Sequence, residues 1–503
     1  MKYLLVLSIL LLITCLGKGQ SNTTPITKTV IEGYFDDERI DTVKLTFYEQ
    51  RLGNTSAGSQ TQICITEKGH FLFTLPMNGN ISYVTIGSIK RPSLMLHDYL
   101  IKNGDSNFIQ INTSANKGEK NYTNGLVFSG KNCGSFRARY DTDSAYIEAV
   151  KRVPHTSISL DSLHDNIRAL WYQFFSSLDQ SLIYLCTELK KFENETDKDI
   201  YEILNVDYRY NIEFAKLVQF RYYWGNTYRH PDSLARRRIM IDYFNSTFKH
   251  HDTLFPYSIG AKSVSKYYMD FECLQSLVQA TISENKQSLS SALSLMPFLN
   301  NLELPLSEKL VTSLIASLGS SRDMEERDSL ILYAMHTIKD TFLLNVVTSF
   351  YERDLKGRDA FVFTLQDTKG NPVTLSSFRG KTVVLDFWFT GCTGCVQVGK
   401  GLKAVKDNFD KDSSVVFISI STDKERKVWL EGLQSGLYTD DRAINVYTMG
   451  KGQEHEITRF YHINSYPRLM IIDREGKLFA FNAERPGNVV GNLALAAQIK
   501  SAK

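Results

Sequence analysis

Cysteine is scarce in this chain: seven residues in 503, at positions 15, 64, 133, 186, 273, 392 and 395. So thin a scatter excludes the dense disulfide framework of small exported domains. Cys64, Cys133, Cys186 and Cys273 lie in strand- or helix-patterned segments without short-range partners, and are expected to be small buried core residues. A second CxxC is also missing, as is any suitably spaced Cys/His pair, which argues against a four-ligand structural zinc. His250-His251 does not supply one, because adjacent helical residues point about 100° apart; a solvated polar turn is the expected setting. Neither charge dominates. The 58 basic and 55 acidic residues leave a net charge of +3, and no Lys/Arg run is interleaved with aromatics, so a nucleic-acid partner is not expected. Internal repeats and low-complexity segments are absent.

Beyond the first twenty residues no apolar run reaches membrane-spanning length. The opening itself, MKYLLVLSILLLITCLGKGQ, reads as a secretory signal over 1–19. Lys2 gives the positive start, Leu4 to Ile13 the apolar stretch, and Gly17-Lys18-Gly19 a small-residue cleavage site. An uncleaved anchor is one alternative. Another is a lipid tether on Cys15, for which Leu12-Ile13-Thr14-Cys15 is an incomplete match because Thr14 stands where a smaller residue is usual.

What remains is too long for a single hydrophobic core. Over 26–135 the pattern has period two: Val43, Leu45 and Phe47 alternate with Lys44, Thr46 and Tyr48, while Phe71, Phe73 and Leu75 share a face. Turn signals such as Asn78-Gly79-Asn80 separate the runs. This predicts an antiparallel β-sandwich, with FSGKNCGSFRARY as its exit into a helix. Over 140–353 the period becomes helical. Leu163, Ile167, Leu170, Trp171, Phe174, Leu178 and Leu182 recur at three- and four-residue steps, and SEKLVTSLIASL and LILYAMHTIKDTFLLNVV continue in the same way. Thr156-Ser157 and Pro231-Asp232-Ser233 offer caps and breaks, so an all-α bundle is expected. The aromatic stretch Phe220-Arg221-Tyr222-Tyr223-Trp224 reads as thick helical core, with a partner groove as the rival reading.

Over 356–503 strands and helices alternate, which predicts an α/β domain. A hairpin turning at Thr368 to Pro372 precedes a buried strand, Thr382 to Phe387. The segment DFWFTGCTGC then opens a helix expected from Val396 to Phe409. A strand over Ser413–Ser421, a helix around Val428-Trp429-Leu430, a further strand region from Tyr461 and a last helix from Val489 complete it. With Cys392 at the helix start and Cys395 one turn on, the sulfurs lie close enough for a small disulfide ring. The helix N-terminus favours the thiolate of Cys392 as nucleophile, which leaves Cys395 to resolve the mixed disulfide.

FTLQDTKGNPVTLSSFRGKTVVLDFW, GCTGC, ISISTDKERKVWLEGL and INSYPRLMIIDREGK together resemble the TlpA/ResA-type thiol–disulfide oxidoreductases of the thioredoxin superfamily, over about the last 145 residues. The β-region loosely resembles the N-terminal domain that often precedes such domains in exported bacterial proteins. The resemblance implies a thioredoxin-like fold that needs no bound cofactor. It implies a cis proline at Pro467 facing the disulfide, with the backbone of Tyr466 free to pair with an incoming chain. Trp388 and Gly391 flank the pair as further substrate-binding positions. Asp386 matches a buried acid that accepts a proton from the resolving thiol; the rival reading is an idle, solvated carboxylate.

Four departures stand out: Gly391 where an aromatic residue is usual, no proline between the cysteines, Lys400 where the helix normally has proline, and Val398 at an often acidic position. They leave the redox potential open. Other readings of the pair are an inert structural disulfide, a peroxiredoxin-like peroxidase, for which Thr390 and Thr393 are misplaced by one residue, and a non-enzymatic envelope binding or redox-sensor protein. The leading expectation is a periplasmic or cell-envelope reductase of protein disulfides, recharged by a membrane electron donor, with the first two domains selecting substrates.

Overall fold

Alternation of apolar and polar side chains produces the first region as strands. The computed structural model describes residues 28–503 apart from 38, 54–56, 78, 90–94, 113–124, 152–166, 229–231, 249–255, 288–298, 300–301, 318–323, 462 and 464. The signal segment, Cys15, Asn78, Thr156-Ser157, Leu163 and His250-His251 therefore lie outside the described residues. Eight strands form two four-stranded sheets. The first runs in the order β4 (His70–Leu75), β1 (Thr29–Phe35), β7 (Ser106–Ile111), β8 (Leu126–Lys131). The second runs β3 (Ser59–Ile65), β2 (Thr42–Tyr48), β5 (Ile81–Ser88), β6 (Met95–Lys102). Val43, Leu45 and Phe47 point inward with Ile31, Phe71, Phe73, Val84 and Ile109. The sandwich is antiparallel except for one pair, β1 with β7, which is parallel. The short turn after β6 carries the chain into the other sheet, where it enters alongside β1 in the same direction.

Nine helices follow among the described residues: α1 (Gly134–Lys151), α2 (Ile167–Lys190), α3 (Lys198–Thr227), α4 (Ser233–Thr247), α5 (Ile259–Val264), α6 (Lys266–Ser283), α7 (Leu306–Ser317), α8 (Met324–Thr337) and α9 (Thr341–Asp354). On α3, Phe220 and Trp224 are buried one turn apart, whereas Tyr222 is 53% exposed, so the aromatic stretch is core on one face only. LILYAMHTIKDTFLLNVV is interrupted after Thr337. Asp340 caps the new helix, its carboxylate accepting the Leu343 N–H at 2.9 Å. Cys64, Cys133, Cys186 and Cys273 are unpaired and only half-buried; Cys64, Cys186 and Cys273 lie at the margins of packed clusters rather than inside them.

Sandwich and bundle share a core. Tyr48, Tyr83 and Leu100 pack among helical residues including Tyr208, Tyr210 and Tyr268. Within this interface the fully buried Asp207 of α3 accepts the Tyr83 hydroxyl at 2.9 and 2.8 Å and the Ser265 hydroxyl at 2.6 Å. Asp98 of β6 pairs with Lys266 and, at 3.3 Å, with Arg51.

The last region is an α/β thioredoxin-like domain around a seven-stranded sheet. Its strands are β9 (Thr364–Asp367), β10 (Pro372–Thr374), β11 (Thr382–Trp388), β12 (Val415–Ser421), β13 (Ile444–Tyr447), β14 (Arg468–Ile472) and β15 (Leu478–Ala480). They lie in the order β10-β9-β13-β12-β11-β14-β15. The helices are α10 (Thr393–Lys406), α11 (Arg426–Ser435), α12 (Glu456–Phe460) and α13 (Val489–Ser501). All seven residues of β11 are buried, because both faces of the sheet are covered. Val383, Leu385 and Phe387 pack against Phe363, Ile457 and Tyr461. Val384 faces the opposite side, with Val398, Leu402 and Val405 of α10 and Leu495 and Ile499 of α13. Strand β13 has no counterpart in the sequence reading. Its INVY core is too short and too weakly bounded by turn residues to separate from the preceding loop.

Candidate active site

The centre of the sheet delivers the two cysteines. Strand β11 pairs with β12 on one side and β14 on the other, so its C-terminal end emerges at a fixed point beside β14. The turn that follows is tightly held. The Thr390 N–H and hydroxyl donate to the two oxygens of Asp423, each at 2.9 Å, and Asp423 also accepts the Ser421 hydroxyl at 2.8 Å. Gly391 adopts φ +96°, a conformation glycine reaches without strain, and its N–H donates to the Tyr438 hydroxyl at 2.7 Å. This explains why Gly391 stands where an aromatic residue was expected.

Helix α10 starts immediately afterwards, three residues earlier than the apolar period implied. Cys392 is its N-cap, with the sulfur accepting the Cys395 N–H at 3.1 Å. Cys392 and Cys395 are joined in a disulfide with Cα atoms 5.2 Å apart, and are 7% and 2% exposed. Sulfur Sγ of Cys392 thus sits where the helix dipole and unpaired N–H groups stabilise a thiolate once the bond is opened.

Pro467 follows a cis peptide bond from Tyr466, and its ring rests on the turn between the cysteines. A Cβ on Gly394 would lie 3.1 Å from Pro467 Cδ, so the small residue lets the proline loop approach the disulfide. The half-buried Tyr466 ring packs edge-on against Phe389, centroids 5.2 Å apart, and Phe389 is 37% exposed. These two rings form an apolar rim beside the sulfurs, and Phe389 was not picked out from the sequence.

Asp386 is 5% exposed, which rules out the solvated reading. Its Oδ1 has no hydrogen-bond partner within the protein. Burial pushes its carboxyl up to about 7, partly offset by the Lys406 ammonium. Lys406 is held by Asp440 at 2.7 Å. Trp388 is corrected. It is fully buried, donates its indole N–H to Ser419 Oγ at 2.7 Å and stacks on Tyr438 at 4.6 Å. No face is left for a substrate, and it serves as the floor beneath the cysteines, with Trp429 and Tyr447 in the same cluster. Asp423 and Tyr438 were missed because they come from loops distant in sequence that only the sheet order brings to the turn. Val398, at an often acidic position, is core.

A buried disulfide at a helix start, facing a proline loop, on a sheet whose central strand carries a buried carboxylate, defines a thioredoxin-like redox domain. The family match falls on this domain. Residues 357–480 match the AhpC/TSA family. The chain is 25% identical over 121 residues to thioredoxin-like protein YneN of Bacillus subtilis (strain 168), covering 24% of this chain and 67% of that protein. It is 25% identical over 136 residues to thiol-disulfide oxidoreductase ResA of the same organism, covering 27% and 72%. Among solved structures, the thioredoxin domain of a thiol-disulfide oxidoreductase from Bacteroides vulgatus is similar at 27% identity, covering 29% of this chain and 96% of that one, with a TM-score of 0.25. A thiol:disulfide interchange protein from Bacteroides sp. is similar at 27% identity, covering 28% and 88%, with a TM-score of 0.24. The matched region is the C-terminal domain; the sandwich and bundle lie outside the family match.

Proposed function

We propose that this protein is an exported thiol–disulfide oxidoreductase that reduces disulfides in cell-envelope proteins. The observation that carries the reading is the placement of Cys392 at the N-terminus of α10, with Cys395 behind it and Pro467 against the intervening turn. In the reduced protein the Cys392 thiolate attacks one sulfur of a substrate disulfide. The substrate S–S bond breaks, its other sulfur leaves as a thiolate, and a mixed disulfide forms. Cys395, its proton taken by the Asp386 carboxylate, then attacks Cys392 and releases the reduced substrate. Two electrons pass to the substrate and the Cys392–Cys395 disulfide remains, to be reduced by a membrane electron donor. Pro467 and the Tyr466 backbone line the docking edge, with Gly391 beside it. A secretory signal over 1–19, or a lipid tether at Cys15, puts this chemistry in the periplasm or envelope, where thiols are otherwise oxidised.

The test is equilibration of the pair against glutathione and dithiothreitol buffers, with Cys392→Ser as control. A potential near about −270 mV supports a reductase, whereas one near about −120 mV assigns disulfide donation instead. The AhpC/TSA match supports a second reading, thiol peroxidase, which hydrogen-peroxide turnover decides. Against it, the Thr390 hydroxyl is engaged by Asp423.

A further inference from the structure

Arginine gathers on the far side of the proline loop. Arg468 follows Pro467 directly and is 7% exposed. Its Nη2 donates to Ser465 Oγ at 3.4 Å, its guanidinium lies 5.1 Å from the Phe481 ring centroid, and its Nε has no partner. The exposed Arg485 reaches the same loop, with Nη2 donating to the Pro467 carbonyl at 3.4 Å. Arg327 and Arg353, from α8 and α9, complete the group.

The charges do not balance. Two acids face these four arginines: Asp354, already engaged on both oxygens by Arg327, at 2.6 Å, and by Arg353, and Asp328, which sits beside Arg327 and Asp354. Arg468 therefore feels three arginines and a committed aspartate, and burial together with Arg485 lowers its guanidinium to about 10. A buried guanidinium short of counter-charge is stabilised by an incoming anion. Carboxylate suits the planar donor fork better than any neutral group.

The surface beside it has a second feature. From Arg485 the chain crosses α10 so closely that a Cβ on Gly401 would meet Gly487 N at 2.4 Å. It then enters α13, where Val489, Val490 and Leu493 are 74%, 77% and 66% exposed. Disulfide, proline loop, arginine pair and apolar stripe thus follow one another along the domain.

We propose that Arg485, backed by the buried charge of Arg468, is a carboxylate-reading subsite that selects polypeptide disulfides flanked by an acidic residue, with the Val489–Leu493 stripe taking apolar residues beyond it. This rests on the reductase reading above and names its substrate class. Arg485 is the contacting residue and Arg468 the positioning charge.

The test uses the full-length reduced chain and a pair of disulfide peptides that differ in one residue near the cysteine, Glu or Gln. The expected kcat/KM ratio, Glu over Gln, is about fivefold at low salt, carried by KM and shrinking as salt rises. Arg485→Gln brings the ratio to about one, and Arg485→Glu inverts it. A wild-type ratio near one, or a ratio that survives Arg485→Gln, overturns the subsite and leaves the reductase reading intact. If neither peptide turns over, the reductase reading fails. Fluorescence anisotropy of a labelled acidic peptide with serine for cysteine then decides the subsite alone: weaker binding to Arg485→Gln than to wild type supports it, equal binding refutes it.

Discussion

Two carboxylates, Asp207 and Asp386, are equally hidden from water and differently equipped. Asp207, between sandwich and bundle, is 0% exposed and collects hydroxyls from Tyr83 and Ser265, with Arg139 Nη1 at 3.9 Å. Asp386, on the central strand β11, is 5% exposed and its Oδ1 has no protein partner. Burial pushes both up, Asp207 to about 6 and Asp386 to about 7. A carboxylate surrounded by donors from several elements ties those elements together. One left short of donors gives up stability and gains the ability to trade a proton near neutral pH.

The largest expected effect lies on the redox side. Cys392→Ser removes the proposed attacking sulfur and should abolish disulfide turnover, while Cys395→Ser should accumulate a mixed disulfide detectable by mass on non-reducing gels. Residual turnover by Cys392→Ser would show that the centre lies elsewhere. Next comes Asp207→Ala, which strands the Tyr83 and Ser265 hydroxyls and leaves Arg139 with one less counter-charge. It should cost about 3–5 kcal/mol in the sandwich–bundle unit on chemical denaturation. The potential of the Cys392–Cys395 pair should not move; a shift would mean that the two regions are energetically one.

Asp386→Asn tests the other half of the comparison. A carboxyl raised from its unfolded value near 4 to about 7 makes the native state bind the proton more tightly. Native stability is therefore lost as pH rises between those two values, and stays flat above. The amide removes this loss. The variant should match wild type below pH 4 and exceed it by about 2–4 kcal/mol at pH 8, yet exchange thiols at least about tenfold more slowly near pH 7. Equal stability at pH 8 would contradict the buried charge. The smallest effect belongs to Gly394→Ala. Its Cβ would press on Pro467 Cδ, a cost of about 1 kcal/mol and a few-fold fall in turnover of large substrates.

Legibility in the sequence divides along similar lines. Inward positions such as Val43, Leu45 and Phe47, the buried run of β11 and the cysteines at a helix start could be read because each depends on near neighbours along the chain. The same holds for Pro467, whose motif carried its place by resemblance. Asp423 and Tyr438, which pin the turn before Cys392, could not be read, because only the order of strands in the sheet brings them there. Trp388 misled for the opposite reason: its place beside the cysteines is local, but its burial is set by Tyr438 and Ser419 from distant elements. The four isolated cysteines show the same limit, since half-burial has no period.

The parallel pairing of β1 with β7 bears on how the chain acquires its shape. Thr29–Phe35 is flanked by β4 on one side and must await Ser106–Ile111 on the other. As the polypeptide emerges from its N-terminus, β1 keeps one edge of unpaired amides and carbonyls until β7 arrives after the whole second sheet. The first sheet is therefore completed only by the strands furthest along this region, β7 and then β8. An edge left open over so long a stretch of chain is the part of the sandwich most exposed to mispairing before it is covered.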